Sequence, residues 1–347
     1  MTDLRAGTTQ TQHSPTWGVV MTVCEPLALV RTNVLWHLAT GAHAVHVFFD
    51  DPDDPARPVI EAIDGCIAVG CDRGYWRGRM GEKGRPASQM RRQTINANFA
   101  QRRAQTDWLF HIDADEFIWQ DDHLAGELAP LTGGTTELNL PVLERLFPDG
   151  PQSKLFDGTF RASSDLEPED AARAFGDFAR FMKRGQYSHG AGKSGVSVRQ
   201  GLRLGVHNAT IRGSERWKRA PKQVSTTTRL LHFDGLTPLH WALKFLRYRL
   251  NSAEVQQAVL QGHRAAQINW MLEQGDRLED FRAAHATLFS LTPERRARLE
   301  AFDLMREVPF DPSGMVDAAA LSPSAFDTDL IRRNPWISDV LDLSSLG

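Results

Sequence analysis

Trp108-Leu109-Phe110-His111-Ile112-Asp113-Ala114-Asp115-Glu116-Phe117 is the stretch that decides how this chain folds. Its first five residues, four of them apolar, read as a buried strand, which breaks into three carboxylates within four positions. Two carboxylates two apart, just past a strand end, can point at one hard cation from a loop. Mg²⁺ or Mn²⁺ takes oxygen ligands and keeps places for water and substrate phosphates. An ion held there would offset the charge that grows on a leaving diphosphate. The structural alternative is an acidic helix N-cap, with Asp115 or Glu116 capping the segment that follows.

Upstream of that strand the chain alternates strand and helix. Trp17 to Cys24 suits a buried strand, and Pro26 stands at the first turn of a helix whose stripe is Leu27, Val30, Val34, Leu35 and Leu38. His43 to Phe49 is a second strand, ending in the acidic loop Asp50-Asp51-Pro52-Asp53-Asp54. A short helix over 57–64 and a third strand over 66–70 follow. The Gly- and Arg-rich residues 72–86 read as a loop, and a long helix runs from about Ser88 to Gln105. The alternation predicts an α/β fold with a mostly parallel sheet flanked by helices. Ligands bind such sheets at the carboxyl ends of the strands, where both acidic clusters sit.

Beyond Leu138 the pattern loosens. Leu138 to Val142 reads as one strand and 167–183 as an amphipathic helix. Short strand-like pieces occupy 196–198, 202–206 and 230–233. From Pro238 the chain reads as helices, with a stripe of Leu239, Ala242, Leu243, Leu246 and Leu250. The expected organisation is a disordered tail over 1–16, a catalytic domain over 17–235 and a helical C-terminal region over 236–347.

With these residues in place, the first half resembles the GT-A glycosyltransferases, most closely the family 2-type and family 92-type groups. Their pattern is a strand, an Asn-Glu-type turn, a helix, a second strand ending in acidic residues, and later a strand ending in Asp-x-Asp-Glu-Phe. Asp113, Asp115, Glu116 and Phe117 match that motif, and Glu25 matches the acidic residue after the first strand, with Cys24 where Asn is usual. The resemblance covers about residues 15–235. It implies a Rossmann-like catalytic domain, and the helical C-terminus lies outside it. It also implies a sugar transferred, with inversion, from a nucleotide-diphosphate donor, UDP first among them, to a glycan, glycolipid or protein acceptor. Asp115 would be the principal ligand of Mn²⁺ or Mg²⁺. Asp113 would reach the metal through water or contact the donor. His207 or His232 would complete the coordination, with His207 preferred. Asp50, Asp51 and Asp54 would face the base and ribose of the donor. Glu25 and, from the basic residues at the start of the long helix, Arg92 are further donor-binding candidates.

Lys193, in the run His189-Gly190-Ala191-Gly192-Lys193-Ser194, could neutralise the donor diphosphate together with Arg199. This run is no Walker A motif, because position 187 is Tyr and the run lies downstream of the acidic strand. The basic residues of 72–86 suit a lid over the nucleotide, with Trp76 stacking on a sugar, or simply a solvated surface. Arg212, Arg216, Lys218, Arg219 and Lys222 form another basic patch, suited to an anionic glycan or a headgroup surface. An inverting transfer needs a carboxylate base. Glu144, Asp149, Asp157 and Asp234 follow the motif. Asp157 and Asp234 are preferred, against their reading as ordinary Asp-Gly turns.

Composition narrows the alternatives. A formal net charge of -3 over 347 residues argues against nucleic-acid binding. No apolar run approaches the ~20 residues of a membrane span, which leaves only peripheral membrane contact. Cys24, Cys66 and Cys71 make a poor disulfide framework, so a reducing, cytoplasmic setting is expected. A nucleotidyltransferase or related phosphoryl enzyme, and a non-catalytic nucleotide-sugar or glycan binder, are the competing readings.

Overall fold

The computed structural model describes residues 14–214, 217–249 and 262–343, without the side chains of 248 and 249. Most of the expected tail, together with Arg216 and Leu250, therefore lies outside the described residues. In chain order the first elements are β1 (Trp17–Val23), α1 (Leu27–Ala39), β2 (Ala44–Phe49), α2 (Arg57–Glu61), β3 (Cys66–Gly70), α3 (Arg73–Met80), α4 (Gln89–Gln101) and β4 (Trp108–His111). Then come β5 (Glu116–Gln120), α5 (Leu124–Leu128), β6 (Glu137–Leu140), β7 (Val142–Leu146), β8 (Thr159–Ala162) and α6 (Pro168–Phe175). β9 (Lys193–Ser197), β10 (Leu202–Leu204), β11 (Ala209–Ile211), β12 (Lys222–Val224), β13 (Thr228–His232) and α7 (Pro238–Arg249) follow. Helices at His263–Leu272, Leu278–Phe289, Pro293–Ala301 and Pro323–Arg333 complete the chain, with the short β14 (Met305–Arg306) before the last.

Seven strands form the central sheet in the order β12-β6-β9-β4-β1-β2-β3. All run parallel except β9, which is antiparallel to both β4 and β6. β1 is buried along its length apart from Thr22, which explains why the central strands read as continuous apolar runs rather than alternating ones. The chain winds outward from β1 to β3 and then returns to β1's other side as β4. That reversal opens the crevice between β1 and β4 in which such folds hold ligands. A second sheet, β14-β8-β7-β13-β5, packs beside the first, and β10 pairs with β11.

Four local expectations are corrected. Residues 73–80 are helical, not loop: the Asp72 carboxylate caps the helix by accepting from Tyr75 N–H, and Tyr75 and Trp76 are buried beneath it. Gly74 and Gly78 thus lie in a helix rather than in a hinged lid, and Trp76 is core. The segment after Asp115 is strand β5, so the N-cap alternative for the acidic motif falls. Leu138–Val142 divides between β6 and β7, and the helix expected over 167–183 ends at Phe175 before a 3₁₀ segment. The C-terminal helices, whose role the sequence leaves open, share the core of the first half. Phe117, Phe233, Trp241, Leu288 and Phe326 belong to one contiguous apolar cluster spanning both halves of the chain.

Candidate active site

The acidic motif is held from below by α1. Asn33 and His37 lie four apart on one face of that helix. The Asn33 side-chain amide donates to the carbonyls of Ala114 (2.9 Å) and Glu116 (2.7 Å). His37 Nε2 accepts from Ile118 N–H at 3.1 Å, so its Nδ1 donates to the Asn33 carbonyl. Burial pushes the His37 imidazole down to about 4, which keeps that acceptor nitrogen unprotonated. The Trp36 indole adds a bond to the Ile118 carbonyl. The turn from β4 to β5 is therefore fixed by side chains buried in the first helix.

Each carboxylate of the motif faces an ammonium group. Lys193 Nζ lies 2.6 Å from Asp113 Oδ2 and 3.3 Å from Glu116 Oε2, and the side chain is fully buried. Gln93, on α4, donates to the other Asp113 oxygen at 2.7 Å. Burial acts to raise both carboxyls, but Lys193 more than offsets it, holding Asp113 low and, with His189, holding Glu116 well below the usual range. Lys244 Nζ, from α7, lies 2.5 Å from Asp115 Oδ2 and 3.1 Å from Asp234 Oδ1. Arg264 reaches the same Asp234 at 2.9 Å.

Imidazoles form the next wall. His189 Nε2 is 3.0 Å from Glu116 Oε1, and its ring lies between those of His207 and His232, with centroids 4.4 and 5.0 Å away. Glu116, His189 and His232 offer ligand atoms all within 4.8 Å of one another. His232 Nε2 also stands 3.9 Å from Asp115 Oδ2. A hydrogen-bond relay sets the His232 tautomer. The Ser188 hydroxyl donates to Glu144, so His232 Nδ1 must donate to Ser188. The Nε2 lone pair is left facing the acidic cluster, as a metal-binding histidine requires. Burial and the neighbouring His189 keep His232 below its ordinary range, despite the opposing pull of Asp115.

The remaining expected residues divide. His207 lies behind His189, and its Nδ1 donates to the Gly192 carbonyl, whereas His232 stands 3.9 Å from Asp115 and groups with Glu116 and His189, so His232 rather than His207 meets the acidic motif. Lys193 stands in a strand, not a glycine loop. Gly192 is left-handed, and a Cβ there would meet the Leu140 carbonyl oxygen at 2.3 Å, so this glycine serves strand packing rather than a phosphate cradle. Asp50 is forked by Arg92 at 2.8 and 2.9 Å and touched by Arg85, so Asp50 and Arg92 neutralise each other. Asp54 is buried against Arg333 of the last helix. Asp51 is exposed at the loop tip and accepts from Asp53 N–H.

The base candidates fare unevenly. Asp157 closes its own turn, accepting from Ser153 and Lys154, and lines a cavity of about 390 Å³ that includes none of the clustered residues. Asp234 is at the site, but Arg264 and Lys244 outweigh its burial and hold it ionised well below the usual range. Glu144 is an ion-pair partner of Arg161 in the interior. Glu25 differs from these. Burial, with Asp115 and Asp113 nearby, raises its carboxyl against the opposing Cys24 N–H and Arg247. Burial likewise pushes the Cys66 and Cys71 thiols up to about 12, in keeping with inert structural cysteines.

Asn33, His37, His189, Lys244 and Arg264 went unassigned in the sequence. The spacing of Asn33 and His37 on one helix face was the single available signal. Lys244 is 129 residues from its partner Asp115, which no local pattern can reveal.

No family model matches the chain, and no curated protein matches it. Solved structures do. GalNAc-T7 with UDP, GalNAc and Mn²⁺ is 10% identical over 84% of this chain, at a TM-score of 0.36. This chain spans only 55% of that protein's length. S. aureus TarS 1-349 is 11% identical over 90% of this chain and 82% of its own, at 0.34. Glucosyl-3-phosphoglycerate synthase from Mycobacterium tuberculosis, in complex with Mn²⁺, UDP and phosphoglyceric acid, is 14% identical over 53% of this chain and 56% of its own, at 0.26.

Proposed function

We propose that this protein is a metal-dependent glycosyltransferase that moves a hexosyl group from a nucleotide-diphosphate donor, a UDP-sugar first, onto a glycan, lipid or protein hydroxyl. The observation that carries the reading is the meeting of Asp115, Glu116, His189 and His232 at the carboxyl end of β4, beside the crevice between β1 and β4. Two carboxylates and two imidazoles make a donor set that suits Mn²⁺, which accepts both oxygen and nitrogen ligands. Such an ion, when bound, offsets the charge of the departing diphosphate. Asp113 is already committed to Lys193 and Gln93. With both its oxygens engaged, its part is to fix the motif, whereas Asp115 meets Lys244 and His232 through Oδ2, so Asp115 is assigned as the carboxylate toward the ion.

The chain's own groups serve the transfer in distinct ways. Lys244 and Arg264 are long cations at the cluster's edge, able to meet phosphate oxygens while Asp234 holds them in place. Glu25 lies at the end of β1, across the crevice from the motif. A carboxyl with raised proton affinity is the better general base, so Glu25 is assigned the acceptor hydroxyl's proton in preference to Asp157 or Asp234. Inversion follows if that attack comes from the face opposite the diphosphate.

Calorimetric titration of UDP, GDP and CDP, each with Mn²⁺ and with chelator, tests the reading on the wild type and on Asp115→Ala. One diphosphate should bind with metal only, and the variant should lose it. No diphosphate binding in the presence of Mn²⁺ would overturn the proposal.

A further inference from the structure

At the other end of α4 the charge is of opposite sign. Gln93, near the helix start, reaches Asp113, whereas Arg102 and Arg103 follow the last turn about 14 Å away, at 1.5 Å per residue. A cavity of about 510 Å³ opens there, lined by Arg79, Arg102, Arg103 and Arg203 with Asn98 and Phe99. Arg212 stands beside it. Its guanidinium, with those of Arg103 and Arg79, acts with desolvation to hold Arg102 below its ordinary range. Five arginines from α3, the end of α4 and the β10–β11 hairpin thus converge in a protein whose net charge is -3.

Cations near a helix C-terminus stabilise it, and that accounts for Arg102 and Arg103. It does not account for Arg79, Arg203 and Arg212, which arrive from other elements. None of the five has a carboxylate partner among the described residues. Three of them are held by aromatic rings instead, and Arg79 and Arg212 each donate to a backbone carbonyl, of Tyr75 and Leu202. The Arg79 guanidinium lies 3.5 Å from the Tyr75 ring centroid and 3.8 Å from that of Phe99. Arg103 stacks on Phe99 at 4.0 Å, and Arg203 on the exposed Trp217 at 4.3 Å. A guanidinium stacked by its face keeps its N–H edge for an anion, and that fork matches phosphate oxygens. The concave shape suits a small ligand rather than a bilayer surface.

We propose that this cavity is a second anion site, taking the phosphate groups of a soluble, oligophosphate-bearing small molecule. It is distinct from the acidic cluster and independent of the transfer proposed there. Its ligand relieves the repulsion among the arginines, so binding needs no metal and weakens with salt.

The test is calorimetric titration of inorganic pyrophosphate with chelator present, at low salt and at roughly twice physiological ionic strength. It is run on the wild type, Arg102→Ala/Arg103→Ala, Arg203→Ala and Asp115→Ala. All four are checked by circular dichroism, and the exposed positions of Arg102 and Arg103 should leave the fold intact. Pyrophosphate should bind the wild type and Asp115→Ala alike, at least tenfold more weakly in the double variant and at high salt, with Arg203→Ala intermediate. Equal affinity in the double variant, or loss in Asp115→Ala, would overturn the proposal. So would sedimentation with phosphatidylglycerol vesicles in the absence of pyrophosphate binding, which would make the patch a membrane contact.

Discussion

Lys193→Met is the perturbation that most directly tests how the acidic motif is held. Methionine keeps nearly the length and apolar stem of lysine while removing the charge. It leaves Asp113 and Glu116 without the ammonium that lies 2.6 and 3.3 Å from them. At an effective dielectric near 20, each contact carries about 5–6 kcal/mol of gross attraction, most of which offsets the desolvation of the three groups. Breaking a buried pair from one side costs about 3–5 kcal/mol, because the surviving charge stays buried without its partner. Asp113 is partly exposed, so the lower end of that range applies. Urea denaturation followed by tryptophan fluorescence measures the loss.

The pH dependence gives the test its sign. In the wild type Lys193 holds both carboxyls below their ordinary values. Their contribution is fully present above the unfolded value of about 4 and disappears only as pH falls through the lowered folded values. In the variant burial acts unopposed by Lys193 and raises the folded values. A group raised in the folded state stabilises below its unfolded pKa and loses that contribution as pH rises. The stability gap should therefore be widest near pH 7.5 and narrower at pH 5. Adding Glu116→Gln to Lys193→Met should recover part of the loss. A gap under about 1 kcal/mol at pH 7.5, or one independent of pH, would refute the counter-ion role of Lys193.

Asp157→Ala should leave turnover nearly unchanged and cost about 1 kcal/mol of stability, since its carboxylate only closes the 153–157 turn, whereas Glu25→Gln should lower kcat with little change in donor affinity. Steady-state kinetics on the two variants separates a turn residue from a base. Arg333→Met strands the buried Asp54 carboxylate, and amide exchange across residues 50–56 should accelerate while β1 stays protected. Burial lowers His37 and His46 to about 4 and His207 and His285 to about 3, against about 6.5 unfolded. The unfolded chain therefore binds more protons as pH falls below 6.5, so the urea midpoint should drop between pH 7 and pH 5. A flat midpoint would contradict the neutral, buried assignment.

The order of β1 to β4 was legible because parallel strands buried on both faces must be written as unbroken apolar runs. The acidic motif was legible because three carboxylates end such a run. What escaped was decided by contacts distant in sequence. Residues 73–80 carry two glycines and three arginines, and locally they favour a loop. Tyr75 and Trp76, sunk into the core beneath an Asp72 cap, make them a helix. Lys193 follows two glycines and so resembles a phosphate loop, yet pairing with β6 makes it the first residue of a strand. The same pairing turns its side chain into the acidic cluster. The basic, Gly-rich loop before His207 favours it over His232 in the sequence, yet it is His232 that stands 3.9 Å from Asp115.

The charges at contact distance also bear on the order of binding. Asp113, Asp115, Glu116 and Asp234 face three fixed cations, Lys193, Lys244 and Arg264, leaving one negative charge unmatched. Burial keeps His232 and His207 neutral, so they do not redress the balance. A diphosphate approaching this cluster by itself meets a site of its own sign in a low-dielectric crevice. If, as proposed, a divalent ion binds at Asp115, Glu116, His189 and His232, it reverses that sign, and metal entry would then precede or accompany the nucleotide. Linkage then requires the nucleotide to tighten the metal in equal measure. Titrating Mn²⁺ with and without UDP should show that tightening, and UDP without metal should produce no binding heat. Removing one of the fixed cations by Lys244→Met makes the site more negative. It should strengthen Mn²⁺ binding alone while weakening UDP in the presence of Mn²⁺. If both affinities fell together, Lys244 would be a structural prop rather than a charge shared between the ion's site and the donor's.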